Sequence, residues 1–485
     1  MHIMAAAINS TATPPSAGAG QPASRWPAQV KFIVGNEACE RFSYYGMKGI
    51  LALYITSVLL KTEDDTTNII ALFSAVNYFM PLLGAWVADR YWGRYKTILL
   101  ISLFYCLGHG VLATSDLVTT PDAKAWVLYI GLGLIAFGSG GIKPCVSAFM
   151  GDQFRPDQRH LLQKAYAAFY WAINLGSFFS YLAIPAIRKA WGYGWAFGVP
   201  GIFMAVATCI FWLGTRHYVI IPPARVGKTA GFFKVFWEAF RNSGSRSAGQ
   251  GFWDAARSRF SGAEVDAARS VLPILSVFAL VPVFWALFDQ TSSTWVLQGQ
   301  KMLPCTIFGW TIGPEEMQSA NPALVMLIIP MVTLCLYPML GRFASPLKRM
   351  SLGMFLAALS YVVVAMLQQR IEGGAHLSIL WQIAPYAILT LAEVLISTTG
   401  LEFAFREAAP EMKSIMMGFW NLTVTLGNLL VVLITKVMGG ADKLSGSVST
   451  SRFLLYAGLT FVVAIAFSVI ATFYKYRDTS AAQGR

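Results

Sequence analysis

Apolar segments long enough to cross a bilayer recur along nearly the whole chain, and this recurrence limits the possible folds more than any other feature. A membrane-spanning helix needs about 20 consecutive apolar residues. Apolar residues make up 56% of the 485-residue sequence and charged residues only 13%, against roughly 45–50% and 25% in soluble proteins. This composition excludes a disordered chain, a disulfide-stapled secreted module and an ordinary soluble enzyme. The sequence therefore predicts an all-α polytopic membrane protein.

The apolar segments form two sets of six, separated by a long polar stretch. They lie at 31–59, 66–90, 95–116, 124–150, 163–186, 194–216, 271–298, 321–343, 350–369, 378–405, 413–438 and 452–475. We predict twelve transmembrane helices with this division of the chain: a disordered tail at 1–28, a six-helix bundle at 29–216, a linker at 217–270, a second bundle at 271–476 and a tail at 477–485. Two linker segments, FFKVFWEAF and FWDAARSRF, alternate apolar and charged residues at helical spacing, which predicts amphipathic surface helices.

Charge is distributed unevenly between successive loops. The formal net charge is +13, and the basic residues concentrate in the linker and in every second loop, which is typical of cytoplasmic loops rather than of nucleic-acid binding. We therefore expect both termini and the linker to lie in the cytoplasm. Arg188 and Lys189, on a predicted outer loop, are the exception to this pattern. The six cysteines are scattered without metal-ligand spacing, so we interpret them as packing residues.

The first apolar segment carries an unusual stripe of charge. Positions 37, 40, 41, 44, 45 and 48 share one helical face at 3.6 residues per turn. They are occupied by Glu37, Glu40, Arg41, Tyr44, Tyr45 and Lys48. Ionisable side chains inside a span are costly and mark functional sites. Two neighbouring carboxylates can share an exchangeable proton; the alternative is a static salt-bridge network that only fixes helix packing.

Other polar side chains lie inside later segments. They are Lys143 in GSGGIKP, the amide Asn174, Asp289 in WALFDQ and Glu393. Asn321 precedes a proline, so it is as compatible with a loop turn as with a ligand contact. The loop GAWVADRYWGRYK, at 84–96, places an aspartate next to arginines just beyond a helix end, which favours a role in gating for Gly84, Asp89, Arg90, Gly93 and Arg94. No metal or nucleophile constellation appears, so we do not expect an enzyme or a metal site.

These motifs resemble those of a known family. The run Glu37-x-x-Glu40-Arg41-Phe42-x-Tyr44-Tyr45-Gly46 resembles the first-helix signature of the proton-coupled oligopeptide transporters, a branch of the major facilitator superfamily. The loop at 84–96 is similar to the superfamily's loop motif, and FYWAINLGSFFS at 169–180 to the family's fifth-helix signature. The resemblance covers about residues 30 to 475. It implies two six-helix bundles around a central cavity that opens alternately to each side.

The resemblance also implies roles for single residues. Arg41 and Lys143 would bind the carboxylate of a di- or tripeptide, and Glu393 its ammonium group, assisted by Asn174 and Asn321. The aromatic residues Tyr44, Tyr45, Tyr78, Trp285 and Trp420 would line side-chain pockets. Glu37 and Glu40 would carry the proton, coupled to Arg41 and Lys143, and Asp289 would pair with Arg41 in one state of the outer gate. Protons would be the coupling ion, with no other cofactor.

Two departures from animal members of the family favour a bacterial inner-membrane protein. Ala71 stands where they carry a functional histidine, so proton coupling would rest on carboxylates. The chain also has no large insertion between its ninth and tenth segments. An alternative is the same fold carrying another small anion or zwitterion, such as nitrate, although a simple anion would not need Glu393. We expect a monomer in the lipid bilayer.

Overall fold

The computed structural model describes residues 26–223, 231–243, 251–340, 345–441, 446–474 and 476. The predicted C-terminal tail at 477–485, and the predicted N-terminal tail as far as residue 25, lie outside these residues. Within them the chain is mostly α-helical, and its one sheet is a short hairpin of β1 (Cys305–Ile307) and β2 (Trp310–Ile312). The fold class therefore agrees with the prediction.

The first half of the chain forms five helices that make six spans. They are α1 (Val30–Ser57), α2 (Glu63–Val87), α3 (Gly93–Ala113), α4 (Pro121–Asp152) and α5 (Leu162–Leu213). Thr62 and Thr120 cap α2 and α4 through their side chains, which accept backbone N–H groups of the first turn. Helix α5 is broken at Gly192, whose φ of 86° suits glycine. This break separates the predicted fifth and sixth segments.

The linker and the second half contain shorter pieces. The linker holds α6 (Phe232–Arg241), as predicted, and α7 (Gly262–Arg269). The second predicted amphipathic helix, at 252–260, is instead a short 3₁₀ turn at Phe252–Ala256. The seventh segment consists of α8 (Val271–Phe278), α9 (Val281–Phe288) and α10 (Thr294–Gln300). The remaining helices are α11 (Ala320–Met331), α12 (Tyr337–Leu340), α13 (Pro346–Glu372), α14 (Ile383–Glu407), α15 (Lys413–Ala441) and α16 (Thr450–Phe473).

The helices agree with twelve spans once their charges and breaks are considered. By length and apolar composition alone, eight runs of helix in the described residues could cross a membrane, or nine with the bent pair around Ala279. Two of these runs, Glu63–Asp116 and Leu162–His217, each contain two spans. Helix α1 does not qualify on composition because it carries the charged stripe around Arg41. The result is the major facilitator fold of two six-helix bundles.

The two halves pack against each other along two seams. Helix α2 contacts α15, and α5 contacts α11. Inside the first half, α2 and α4 approach so closely that a Cβ added to Gly84 would lie 2.2 Å from the carbonyl oxygen of Gly141. Small residues allow such close helix contacts in a membrane, where packing rather than the hydrophobic effect holds helices together. Helices from both halves therefore surround the central site.

Candidate functional site

A central cavity of about 660 Å³ lies between the two halves. Ten of the predicted proton-coupling and substrate-binding residues line it together with Arg41: Glu37, Tyr44, Tyr45, Tyr78, Lys143, Asn174, Trp285, Asp289, Asn321 and Glu393. The lining also includes Asp89, Arg94, Phe232 and Glu411. These four belong to the turn after α2, the first turn of α3, the start of α6 and the short turn just before α15. The cavity therefore extends to the face on which the linker lies.

Helix α1 brings two carboxylates to one guanidinium. The Arg41 Nε lies 3.0 Å from Glu37 Oε1 and 2.5 Å from Glu40 Oε2. Glu37 and Arg41 are one helical turn apart, so the helix itself brings these two side chains together. Glu40 lies behind the cavity wall, with the Ser139 hydroxyl 3.5 Å from its Oε1. One cation therefore faces two buried acids, which suits a group that exchanges a proton.

Lys143 is a basic residue for which the described residues provide no counter-ion. Its Nζ lies 4.7 Å from the ring centre of Tyr44 and 4.4 Å from that of Tyr78. The nitrogen is shielded from solvent and has no hydrogen-bond partner, and no carboxylate in the described part of the chain lies within ion-pair distance. Cation–π contacts stabilise such an ammonium only partly. The arrangement is suited to receiving an anionic group from the cavity.

The second half supplies the opposite charge. Glu393, on α14, is buried and accepts a hydrogen bond from the Asn321 amide at 2.9 Å. The same amide lies 3.1 Å from the Thr390 hydroxyl. Asn321 is therefore a cavity residue at the start of α11 rather than only a turn residue. On the opposite side of the seam, the Asn174 amide donates to the Tyr170 carbonyl in its own helix at 2.9 Å.

Asp289 has a different partner from the one predicted. Its Oδ1 lies 3.6 Å from Lys48 Nζ, and its Oδ2 accepts a hydrogen bond from the Asn428 amide at 2.6 Å. Arg41 is held instead by the two glutamates of its own helix. Lys48 lies two turns beyond Arg41 on the same stripe, at the level where a short 3₁₀ turn, Asp289–Ser292, ends α9. The predicted Arg41–Asp289 pair is thus absent in this conformation.

Trp420 also differs from its prediction. It is 0% exposed and does not line the cavity. Its ring packs 5.3 Å from Phe278 and 6.1 Å from Trp285, so it supports Trp285 from behind. The helical period of α15 does not predict that Trp420 points away from the cavity, because the neighbouring positions Met417 and Asn421 do line it.

The loop after α2 forms the edge of the cavity mouth. Gly93 has a φ of 72°, which favours glycine, and the five residues Ala88–Trp92 form a π-helical turn. Arg94 Nη1 binds both carboxylate oxygens of Asp152, at 2.6 and 2.5 Å, and so joins α3 to the end of α4. Arg90 is exposed beside the Tyr91 ring. The sequence analysis did not identify Asp152 as the partner of Arg94.

The far end of the cavity is closed by contacts between the halves that the sequence analysis missed. Arg188 pairs with Glu315 at 2.7 Å, Lys189 with Glu316 at 2.5 Å and Lys301 with Glu63 at 2.7 Å. The Ser447 hydroxyl donates to Asp64. The two basic residues that departed from the charge pattern of the loops are therefore neutralised by carboxylates of the other half.

Comparisons with known proteins identify the family. A family model described as the POT family matches residues 95–450. The chain belongs to the POT family. It is 38% identical over 372 residues to solute carrier family 15 member 2 of Rattus norvegicus, which covers 73% of the chain and 50% of the relative. It is 39% identical over 364 residues to peptide transporter family 1 of Drosophila melanogaster, with 72% and 49% covered. The chain thus spans about half the length of these curated relatives.

Solved structures of the POT family match over almost the full chain. A crystal structure of an auto-inhibited POT family peptide transporter aligns with a TM-score of 0.84 at 38% identity and covers 93% of this chain and 98% of that one. The POT family transporter PepTSo aligns with a TM-score of 0.84 at 39% identity, with 92% and 98% covered. The POT family is a transporter family and not an enzyme family, which agrees with the expectation from the sequence.

Proposed function

We propose that the protein is a proton-coupled symporter that carries di- and tripeptides into the cell by alternating access. The observation that carries the proposal is Lys143, which is shielded from solvent, has no counter-ion among the described residues and lies in the same cavity as Glu393. A short peptide has separated carboxylate and ammonium groups, so it can satisfy both residues at once. One of the solved structures described above is also a POT family peptide transporter.

The peptide would bind between the halves. Its carboxylate would meet Lys143 and Arg41, since a guanidinium can bind a carboxylate through two hydrogen bonds. Its ammonium would meet Glu393, with Asn321 and Asn174 as hydrogen-bond partners. Tyr44, Tyr45, Tyr78 and Trp285 would contact the side chains of the peptide. A cavity that binds mainly the two terminal charges accepts many side chains.

Proton coupling would begin at the glutamates of α1. A peptide carboxylate that binds Arg41 competes with Glu37 and Glu40 for the same guanidinium, and this competition favours protonation of a glutamate. Linkage is reciprocal, so protonation also favours peptide binding. At the closed end, protonation of Asp289 would weaken its pair with Lys48 and so favour opening there. In this proposal protons are the coupling ion and no further cofactor takes part.

The remaining expectations concern the cellular setting. We place the protein in the plasma membrane, specifically a bacterial inner membrane, as a monomer. The linker, both termini and the cavity mouth would face the cytoplasm. The basic loops support this orientation, and Ala71 supports the bacterial origin. We retain the division into an N-terminal bundle at 29–216, a linker at 217–270 and a C-terminal bundle at 271–476, because the breaks between the described helices are compatible with it.

Uptake into proteoliposomes tests the proposal. With an inward proton gradient, the protein should accumulate labelled dialanine, and a protonophore should reduce accumulation to equilibration. Lys143→Met should abolish accumulation, whereas Lys164→Met, at an exposed lysine outside the cavity lining, should leave it unchanged. Accumulation that survives the protonophore contradicts coupling. Accumulation of nitrate, but not of dialanine, would instead favour the alternative substrate.

A further inference from the structure

The linker helix α6 is apolar on two faces. Its inner face packs against the protein: Phe232, Val235 and Ala239 are buried, and the Phe232 ring lies 5.7 Å from Phe419 on α15. This inner face is anchored further by the next linker segment, where Trp253 lies 6.0 Å from the ring of Phe236. An ordinary surface helix would present a polar face on its other side.

The outer face of α6 carries a row of exposed aromatic side chains instead. Phe233, Trp237 and Phe240 are 62%, 62% and 56% exposed. Their spacing of four and three residues places them in one row along the helix, and the rings of Trp237 and Phe240 stack 6.1 Å apart. Exposed apolar patches of this kind mark contact with a membrane or another protein. We name these three residues the outer stripe.

Basic residues border the outer stripe along one side. At 100° per residue, Lys234 and Arg241 lie next to each other along one side of the stripe, and both are exposed. The one acid of the helix, Glu238, lies beyond them, where Arg259 pairs with it at 3.1 Å. The outer stripe is therefore bordered by cations whose charge the helix itself does not neutralise.

The position of α6 brings the outer stripe close to a bilayer edge. Phe232 and Phe233 contact Phe419 in the second turn of α15, where a membrane span begins. Aromatic residues with basic neighbours are typical of helices that lie in the interface between lipid and water. Acidic headgroups attract Lys and Arg over a short distance from the membrane surface.

We propose that the outer stripe of α6 docks on acidic phospholipid headgroups of the leaflet on the face where the cavity opens. The aromatic rings enter the headgroup region, and Lys234 and Arg241 bind phosphate or glycerol oxygens of the lipid. Phe232, on the inner face, lines the cavity mouth. Lipid docking of one face thus holds the other face at the mouth. The inference does not depend on which solute the cavity binds.

Hydrogen–deuterium exchange of the whole protein in nanodiscs tests this docking. Nanodiscs of phosphatidylcholine alone are compared with nanodiscs that also contain phosphatidylglycerol. Amides of 232–241 should exchange about tenfold more slowly with the acidic lipid, because two basic side chains act together near the surface. Lys234→Glu with Arg241→Glu should remove the difference, and Lys234→Arg with Arg241→Lys should retain it. Equal exchange in both lipids would overturn the proposal.

Photo-crosslinking identifies what contacts the outer stripe. Benzoylphenylalanine at position 233 should form phospholipid adducts, enriched in phosphatidylglycerol over its share of the bilayer. The same group at position 235, on the inner face, should crosslink within the chain. Adducts between two copies of the protein, adducts without phosphatidylglycerol enrichment, or no lipid adduct at position 233 would each contradict docking on acidic lipid.

Discussion

Glu393 offers the sharpest test of a single residue. Glutamine keeps the shape of the side chain and can still accept the Asn321 hydrogen bond, so Glu393→Gln removes mainly the charge. Hydrogen bonds between charged groups contribute about 1.5–3 kcal/mol. We expect roughly 10- to 100-fold weaker binding of a free dipeptide and little change for its N-acetylated form, measured by competition for uptake.

Another glutamate of α14 supplies the control for this test. Glu402 lies on the same helix, outside the cavity, where Arg349 Nη1 is 3.7 Å from it. Glu402→Gln should leave both dipeptide affinities unchanged. An equal loss for free and N-acetylated peptides in Glu393→Gln would contradict an ammonium contact and assign Glu393 to the packing of α14 instead.

The sequence predicts the charged stripe of α1 but not the partner of each member. Spacing alone places Glu37, Arg41 and Lys48 on one face, and in the structure all three line the cavity. The partner of Lys48 is 241 residues away, and it depends on how α1 lies against the turn that ends α9. Trp420 shows the same limit, since periodicity cannot separate a lining side chain from the one that supports it.

Helix packing is tested best by two glycines. A Cβ at Gly84 would lie 2.2 Å from the Gly141 carbonyl oxygen, whereas a Cβ at Gly133 would meet nothing within 4 Å. Gly84→Ala forces α2 and α4 apart, and such overpacking costs about 1–3 kcal/mol. We expect its melting temperature to fall by several degrees and its uptake to decline.

Gly133→Ala is the matched control for the helix contact. It adds the same methyl group inside α4 and should leave the melting temperature unchanged or slightly higher, because alanine favours the helix by up to about 1 kcal/mol. Equal falls for the two variants would contradict a specific effect of the contact between α2 and α4.

The sequence predicts the helices more reliably than the breaks within them. Apolar length correctly indicated a segment at 271–298, but the structure divides it into α8, α9 and α10. The second break, at Asp289–Ser292, places a carboxylate on a short turn at the cavity. Hydropathy averages over such a turn, and the tertiary contacts of Asp289 with Lys48 and Asn428 stabilise it.

At the scale of the whole molecule, the sequence predicts the number of membrane spans. It does not predict which end of the cavity is closed. Counting apolar segments predicted six plus six. Which end is closed depends on pairs such as Arg188–Glu315 and Lys301–Glu63, whose members are far apart in the chain and come from different halves. In the distribution of charge between loops Arg188 is an exception, and the structure explains it: its partner, Glu315, belongs to the other half of the chain.

The Glu315 carboxyl makes the stability of this closed arrangement depend on pH. Glu315 is 1% exposed, and burial raises its pKa from the usual 4.5 to about 7 although Arg188 lowers it. Between pH 4.5 and about 7, the folded protein therefore keeps a proton on Glu315 that the unfolded chain has lost. The resulting contribution to the free energy of unfolding is present below about pH 4.5 and disappears as the pH rises through about 7.

Thermal unfolding of Glu315→Gln, which cannot titrate at this position, measures that contribution. As the pH rises from about 4.5 to about 7, the free energy of unfolding of the wild type, relative to that of the variant, should fall by an amount on the order of 3 kcal/mol at most, and its melting temperature should fall with it. Arg188→Gln removes the group that lowers the Glu315 pKa, so in that background the fall should continue to higher pH. A difference between wild type and Glu315→Gln that is constant, or that grows with pH, would contradict a buried carboxyl that takes up a proton in the closed arrangement.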